Sequence, residues 1–343
     1  MRGKMCVRTL GMMVLMGVLL GSLVACESWG TEPEQSYLVS AMGFDCSEDG
    51  ILVTIEIPVI GADRSETAKT ILCSESGRSV KEALARIQRA LPRTLVFSHC
   101  ALAVLGEDLS REQMQEIFEF AETGESLPLA TEVVRAANAE KILRAGSLSA
   151  PAVGYEIPHM LERERGRMGV EMRCSIYALY STGSPNLPVA IPRVEGIRVG
   201  ESATVALAGL DILRARADVI RLSAEDWIPY SILTDQFKGS SDAEQRISCV
   251  KRVLKAETDG DGVLLSLHLK LHRMGKTKAQ AEELREEIAS RTEALFLYAR
   301  DVIGEDLFLL AEQLAGNNGG GWQDSSWMRG ATLEVHCEIV EEG

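Results

Sequence analysis

The chain has 343 residues and a mass of 37.4 kDa, with 46% hydrophobic and 25% charged residues, values that exclude wholesale disorder, collagen and low-complexity architectures. A formal charge of -14 and a pI near 5.0 match a phosphate backbone poorly and argue against nucleic-acid binding. The length is that of about two domains at roughly 100–200 residues each.

Arg2, Lys4 and Arg8 form a basic start, and Leu10 to Val24 is an uncharged apolar run of 15 residues. A spanning helix needs about 20 residues, so the run suits the core of a signal peptide better than an anchor. It ends in Leu23-Val24-Ala25-Cys26, with Leu three before a Cys and a small residue just before it, at the scissile bond. That is the pattern of a bacterial lipobox, so Cys26 is expected to carry the lipid after residues 1–25 are removed. Cleavage leaves 318 residues at a charge of -17. Each buried lipid CH₂ contributes about 0.8 kcal/mol, so two or more acyl chains anchor stably. No other segment approaches 18 apolar residues, so no spanning helix is expected in the mature chain.

Ser28 to Ser36 reads as a tether. Ile51 to Ile57 alternates, with Val53, Ile55 and Ile57 on one face and Thr54 and Glu56 on the other, which is a strand entered through a turn at Glu48-Asp49-Gly50. Ser79 to Glu82 is a capping box for a helix carrying Val80, Ala83, Leu84, Ile87 and Leu91, stopped by Pro92. Leu95 to Leu105 is a β-rich stretch containing His99. Ser110 to Gln113 caps a second helix with Met114, Ile117, Phe118 and Ala121 on one face. Thr131 to Ala137 reads as a strand and Ala139 to Arg144 as a short helix. Gly146 to Arg173 is dense in Pro and Gly and reads as a linker with a solvated helical stretch at Glu162 to Arg165. Ser175 to Tyr180 is expected to be a strand, and Pro185, Pro188 and Pro192 irregular chain. Thr204 to Arg214 and Asp218 to Leu222 are strands, and Ser223 to Asp226 opens a short helix. Ile247 to Ala256 and Val263 to Leu271 flank Asp259-Gly260-Asp261-Gly262 as a hairpin. Ala279 to Ala299 is a long helix with Leu284, Ile288 and Leu295 buried, Asn317 to Gly321 a flexible loop, and Leu333 to Ile339 a last alternating strand. The fold class is α+β, mixed α/β, with a mostly antiparallel C-terminal sheet covered by a long helix.

Candidates for chemistry thin out on geometry. His268 and His272 lie on one face of a strand but about 13 Å apart, too far for one metal ion. His99 and Cys100 are neighbours on a strand and point apart, which leaves His99 as a packed or hydrogen-bonded histidine. Asp259 and Asp261 are turn residues. Ser248 to Lys251 spells S-x-x-K without its companion motifs. Glu282, Glu283, Glu286 and Glu287 are a solvated helix face. Cys46, Cys73, Cys100, Cys174, Cys249 and Cys337 form no C-x-x-C and read as free thiols. No catalytic residue, metal ligand or cofactor site is expected.

The chain resembles the Ger(x)C family, the lipoprotein C subunits of spore germinant receptors. The likeness is carried by the lipobox, by Val39 to Asp45, by Gly77 to Leu84, by Leu91 to His99 followed by Leu105-Gly106-Glu107, by Gly209 to Leu213 followed by Leu222 to Asp226, and by Asp301-Val302-Ile303-Gly304 followed by Trp322 and Trp327. It departs from the family pattern at Cys26-Glu27-Ser28-Trp29, around Arg214 to Arg216, and in the Gly run near Trp322. The resemblance implies three α/β domains and a non-enzymatic component of a nutrient-sensing complex. It implies membrane A and B subunits as partners, and attachment on the extracytoplasmic face of the spore inner membrane. With it the chain divides into signal peptide 1–25, tether 26–36, N-terminal α/β domain 37–145, linker 146–173, middle domain 174–238 and C-terminal α/β domain 239–343. An envelope lipoprotein acting as a solute-binding or scaffold protein outside germination is the alternative.

Overall fold

A computed structural model describes residues 36–59, 69–123, 127–146, 152–168, 174–181, 188–200, 202–214, 219–241, 246–259, 262–274, 278–318 and 325–341. The signal peptide, Cys26, the tether up to Gln35, Pro185, Asp261 and Trp322 lie outside the described residues.

β1 (Ser36–Leu38) leads to β2 (Ala41–Ser47), and Glu48-Asp49 turns the chain into β3 (Gly50–Val59), with Ser47 opposite Gly50. Gly50 sits at φ 124°, where a Cβ would meet the Gly77 carbonyl oxygen at 2.6 Å, so the turn demands glycine. β4 (Lys69–Gly77) pairs antiparallel with β3. Ser79 then caps α1 (Val80–Ala90) by accepting from the Glu82 amide at 3.1 Å. The Glu82 carboxylate takes the Arg78 amide, one residue earlier than a standard capping box. Val80, Ala83, Leu84 and Ile87 are buried, as their spacing predicts.

The apolar stretch at 95–105 is two strands, β5 (Thr94–Val96) and β6 (Leu102–Gly106), split by a turn in which Cys100 N donates to Phe97 O at 2.8 Å. α2 (Arg111–Glu122) opens with a full Ser110–Gln113 capping box and buries Met114, Ile117, Phe120 and Ala121, so Phe120 takes the place expected for Phe118. β7 (Glu132–Ala136) and α3 (Ala139–Arg144) fall where the sequence predicts them.

The stretch expected as a linker holds a 16-residue helix, α4 (Val153–Met168), which buries Val153, Ile157, Leu161, Arg165 and Met168. Residues 175–180, expected as a strand, lead into and form most of a helix, α5 (Ile176–Ser181), because Ser175 Oγ caps its start by accepting from Ala178 N at 3.2 Å. Pro192, expected in irregular chain, lies inside β8 (Val189–Val199). There it lies opposite Leu210 of β9, next to Arg193, the residue at which β8 meets β7 through Arg135. β9 (Ser202–Leu213) and β10 (Val219–Ser223) follow, and a 3₁₀ turn at Ala224–Asp226 leads into α6 (Trp227–Leu233).

Among the described residues the strands form an eight-stranded sheet in the order β10-β9-β8-β7-β6-β2-β3-β4. β2, β6 and β7 run parallel at its centre, and antiparallel pairs flank them. Ala41, Leu102, Val104, Val134 and Ala136 of this sheet share a core with α3 and α4, while α1 packs on β3 and β4. The sheet takes strands from both sides of the 146–173 stretch.

A second sheet closes the chain: β11 (Gly239–Ser241), β12 (Arg246–Asp259), β13 (Gly262–Met274) and β14 (Ala331–Glu341), in that order. The β12–β13 hairpin brings Asp259 opposite Gly262, and β14 adds in parallel to β13. Leu265, Leu267, Leu269 and Leu271 share the buried face with Leu333, Val335 and Cys337. α7 (Lys278–Tyr298) covers that face with Ile288 and Leu295 buried, and ends in a π-helical turn at Ala299–Ile303. α8 (Leu310–Asn318) takes Asn317 and Asn318, expected in a loop, into its last turn. The β10 end of the large sheet, α6 and the second sheet share one hydrophobic core.

Candidate functional site

Three carboxylates, Asp45 and Glu56 buried and Asp306 half-buried, each hold the start of a helix. Asp45 accepts from the Ala139 and Glu140 amides at 2.7 and 2.9 Å, at the start of α3. Glu56, 1% exposed, accepts from the Val153 and Gly154 amides at 2.9 and 2.7 Å and from Ser40 Oγ at 2.8 Å. Asp306 accepts from Phe308 N at 3.1 Å and Ala311 N at 2.8 Å, at the start of α8. A carboxylate there meets unpaired amides and the positive end of the helix dipole. Burial nevertheless raises the pKa of all three, and outweighs the amide donors that pull it down. These groups are invested in architecture: α3 and α4 are pinned to β2 and β3 by side chains some 95 residues away in sequence.

A second constellation crosses five strands. Arg135 on β7 lies 3.6 Å from Asp211 on β9, and Arg193 on β8 reaches the other Asp211 oxygen at 3.1 Å. Arg135 and Asp211 are almost wholly buried, at 2% and 0% side-chain exposure. Arg135 also donates to Glu107 O at 3.1 Å, just beyond β6, and Arg221 on β10 pairs with the Glu107 carboxylate. Burial raises the Asp211 pKa against the pull of the two guanidiniums, and lowers that of Arg135. Gly209 makes the space: at φ 145° its missing Cβ would lie 2.2 Å from Leu222 O and 3.0 Å from the Arg193 guanidinium. What this set does chemically is lock β6 to β10 into one sheet.

The residues singled out in the sequence are scattered. His99 is exposed in the turn before β6 rather than packed, and Cys100 beside it is buried. The Cys100 thiol donates to Leu102 O at 3.5 Å, and burial pushes its pKa up to about 12. Cys46, Cys73, Cys100, Cys174, Cys249 and Cys337 are all free thiols. Ser248 and Lys251 lie on β12 on either side of a bulge. The acidic run on α7 is solvated, with Glu282 paired to Arg285 and Glu287 to Arg291. Trp327 packs half-buried against the C-terminal core.

His268 does not meet His272. It stacks on His336, one strand over, with ring centroids 4.7 Å apart and planes 21° apart. The spacing along β13 hid this pair, and only the parallel register of β14 on β13 reveals it. His336 lies 3.5 Å from Glu334, and Lys270 lies 3.8 Å from Glu338. Beside them lies a groove of about 840 Å³, lined by Lys251, Lys255, His268, Arg285, His336 and Glu338 among others. Among the described residues no group of three or more His, Cys, Asp or Glu is placed to hold a metal ion. Among them too, no helix is long and apolar enough to cross a membrane.

The family model for the spore germination protein N-terminal domain matches residues 30–191. A solved structure, the crystal structure of the GerBC protein, is similar to this chain with a TM-score of 0.52 and 12% sequence identity, over 88% of this chain and 97% of that chain. At that identity the likeness establishes the shared α+β fold. No curated protein matches the chain. The matched region ends within β8, so Arg135 lies inside it and its partners Arg193 and Asp211 lie just beyond.

Proposed function

We propose that this chain, which belongs to the Ger(x)C family of spore germination proteins, is the lipid-anchored C subunit of a nutrient germinant receptor. The single observation that carries the reading is the family match over residues 30–191. The lipobox at Leu23 to Cys26 supports attachment through a lipid on Cys26, on the extracytoplasmic face of the spore inner membrane. Membrane A and B subunits are its partners in this reading. Its part is non-catalytic: the titratable clusters described above hold helices and strands in place, and the acidic body leaves attachment to the anchor. Confinement to a thin layer by the lipid raises the effective concentration of the body near membrane partners.

The test is a germination assay on spores of the native host. Spores lacking the chain are expected to lose the response to at least one nutrient and to keep the response to a receptor-independent trigger. Cys26→Ala is expected to reproduce that loss with the body still made. Unchanged responses to every nutrient in the deletion strain would contradict the proposal.

A further inference from the structure

We propose that the amino-terminal end of the central parallel strands is a membrane-docking surface, on which Leu129 and Tyr177 enter the lipid–water interface. The inference rests on the lipid-anchored reading above and adds to it which face of the body meets the bilayer.

The residues just before β2, β6 and β7 are tied into one lateral row. Ala101 N donates to Ser40 O and Glu132 N to Ala101 O, both at 2.9 Å. Thr131 Oγ1 reaches Cys100 O at 2.8 Å. The start of α5 joins the same row, with Ile176 N on Thr131 O at 3.0 Å and Tyr177 N on Leu129 O at 2.9 Å. This fastens the backbones of Leu129 and Tyr177 side by side. Both side chains are nevertheless left out in water, at 52% and 60% exposure. Leu38, at the same end, is 41% exposed.

Where the chain enters this unit points to the occupant. The unit begins at Leu38, just before Ser40 of the row. Cys26 precedes Leu38 by 12 residues, which span about 40 Å fully extended. A lipid on Cys26 therefore tethers the body to the bilayer from this end of the sheet, within about 40 Å. Tyrosine suits the headgroup level, where its ring is buried and its hydroxyl stays wet, and leucine reaches the acyl boundary beside it. A second set of exposed apolar residues, Leu297, Tyr298 and Val302, lies on and beyond the end of α7 and has no such link to the tether.

The lipidated full chain, reconstituted into vesicles of phosphatidylethanolamine and phosphatidylglycerol, tests this directly. Leu129→Trp, Tyr177→Trp and, as a control, Val302→Trp are compared with the wild type in vesicles with and without brominated acyl chains. The emission added at 129 and 177 is expected to be lost on brominated lipid, and the emission added at 302 to be kept. Vesicle-bound chain with unquenched tryptophans at 129 and 177 overturns the docking surface and leaves the anchor standing. Chain that does not stay on vesicles overturns both. Shielding of residue 177 that occurs in native spore membranes but not in pure lipid gives the face to a protein partner, and also overturns the inference.

Discussion

Glu56 shows how one residue ties sequence to fold. The alternation of β3 marks it as facing away from Val53, Ile55 and Ile57, and a reader of the sequence would place it in water. Its partners, Val153 and Gly154, are 97 and 98 residues on, which no local pattern reveals. Burial raises its pKa above the unfolded value near 4.5. A raised carboxylate binds more protons folded than unfolded, so its contribution is fully present below the unfolded pKa and is lost as pH rises through the folded one. Urea unfolding of wild type and Glu56→Gln at pH 4 and pH 7 is therefore expected to show the wild type's advantage shrinking toward pH 7, whereas a growing advantage would contradict the account. Asp211→Asn should be costlier, at about 3–5 kcal/mol, since it leaves the buried Arg135 without its counter-charge and the half-buried Arg193 without its partner. Thiol titration gives a third reading at this scale. Cys46 is exposed and should react with a thiol reagent in the folded protein, while Cys100, buried and with its pKa near 12, should react only on unfolding.

Elements were legible where a periodic face coincided with a cap or a turn. The Ser110 box and α2, the Glu48-Asp49 turn, the β12–β13 hairpin and α7 all follow from local chemistry. Ser110→Ala is accordingly expected to cost about 1 kcal/mol in the unfolding free energy, since it orphans the Gln113 amide. α4 was hidden because Gly154, Pro158 and Gly166 read as breakers and masked the Ile157, Leu161, Arg165 spacing. Gly154 is there because a Cβ would meet Ser40 O at 2.6 Å, and Arg165 sits on the buried face because it pairs with Glu132 at 2.6 Å. α5 reads as a strand in the sequence because Ile176 and Tyr177 favour strands when Ser175 is not recognised as a cap. The His268–His336 stack was illegible for a different reason: it depends on the register of two strands that are far apart in sequence.

The whole molecule couples a family-typed N-terminal region to a C-terminal sheet through one continuous eight-stranded sheet and a shared core. The Arg135–Asp211–Arg193 set spans the point where the family match ends, so ion pairs tie the matched region to the strands beyond it. The measurement that tests the central claim most directly is co-purification from solubilised spore inner membranes of the native host, using the tagged chain with Cys26→Ala as control. A germinant-receptor C subunit is predicted to bring down two polytopic membrane proteins, with recovery reduced by Cys26→Ala. Recovery of no membrane protein, or presence of the chain in vegetative cells alone, would contradict it.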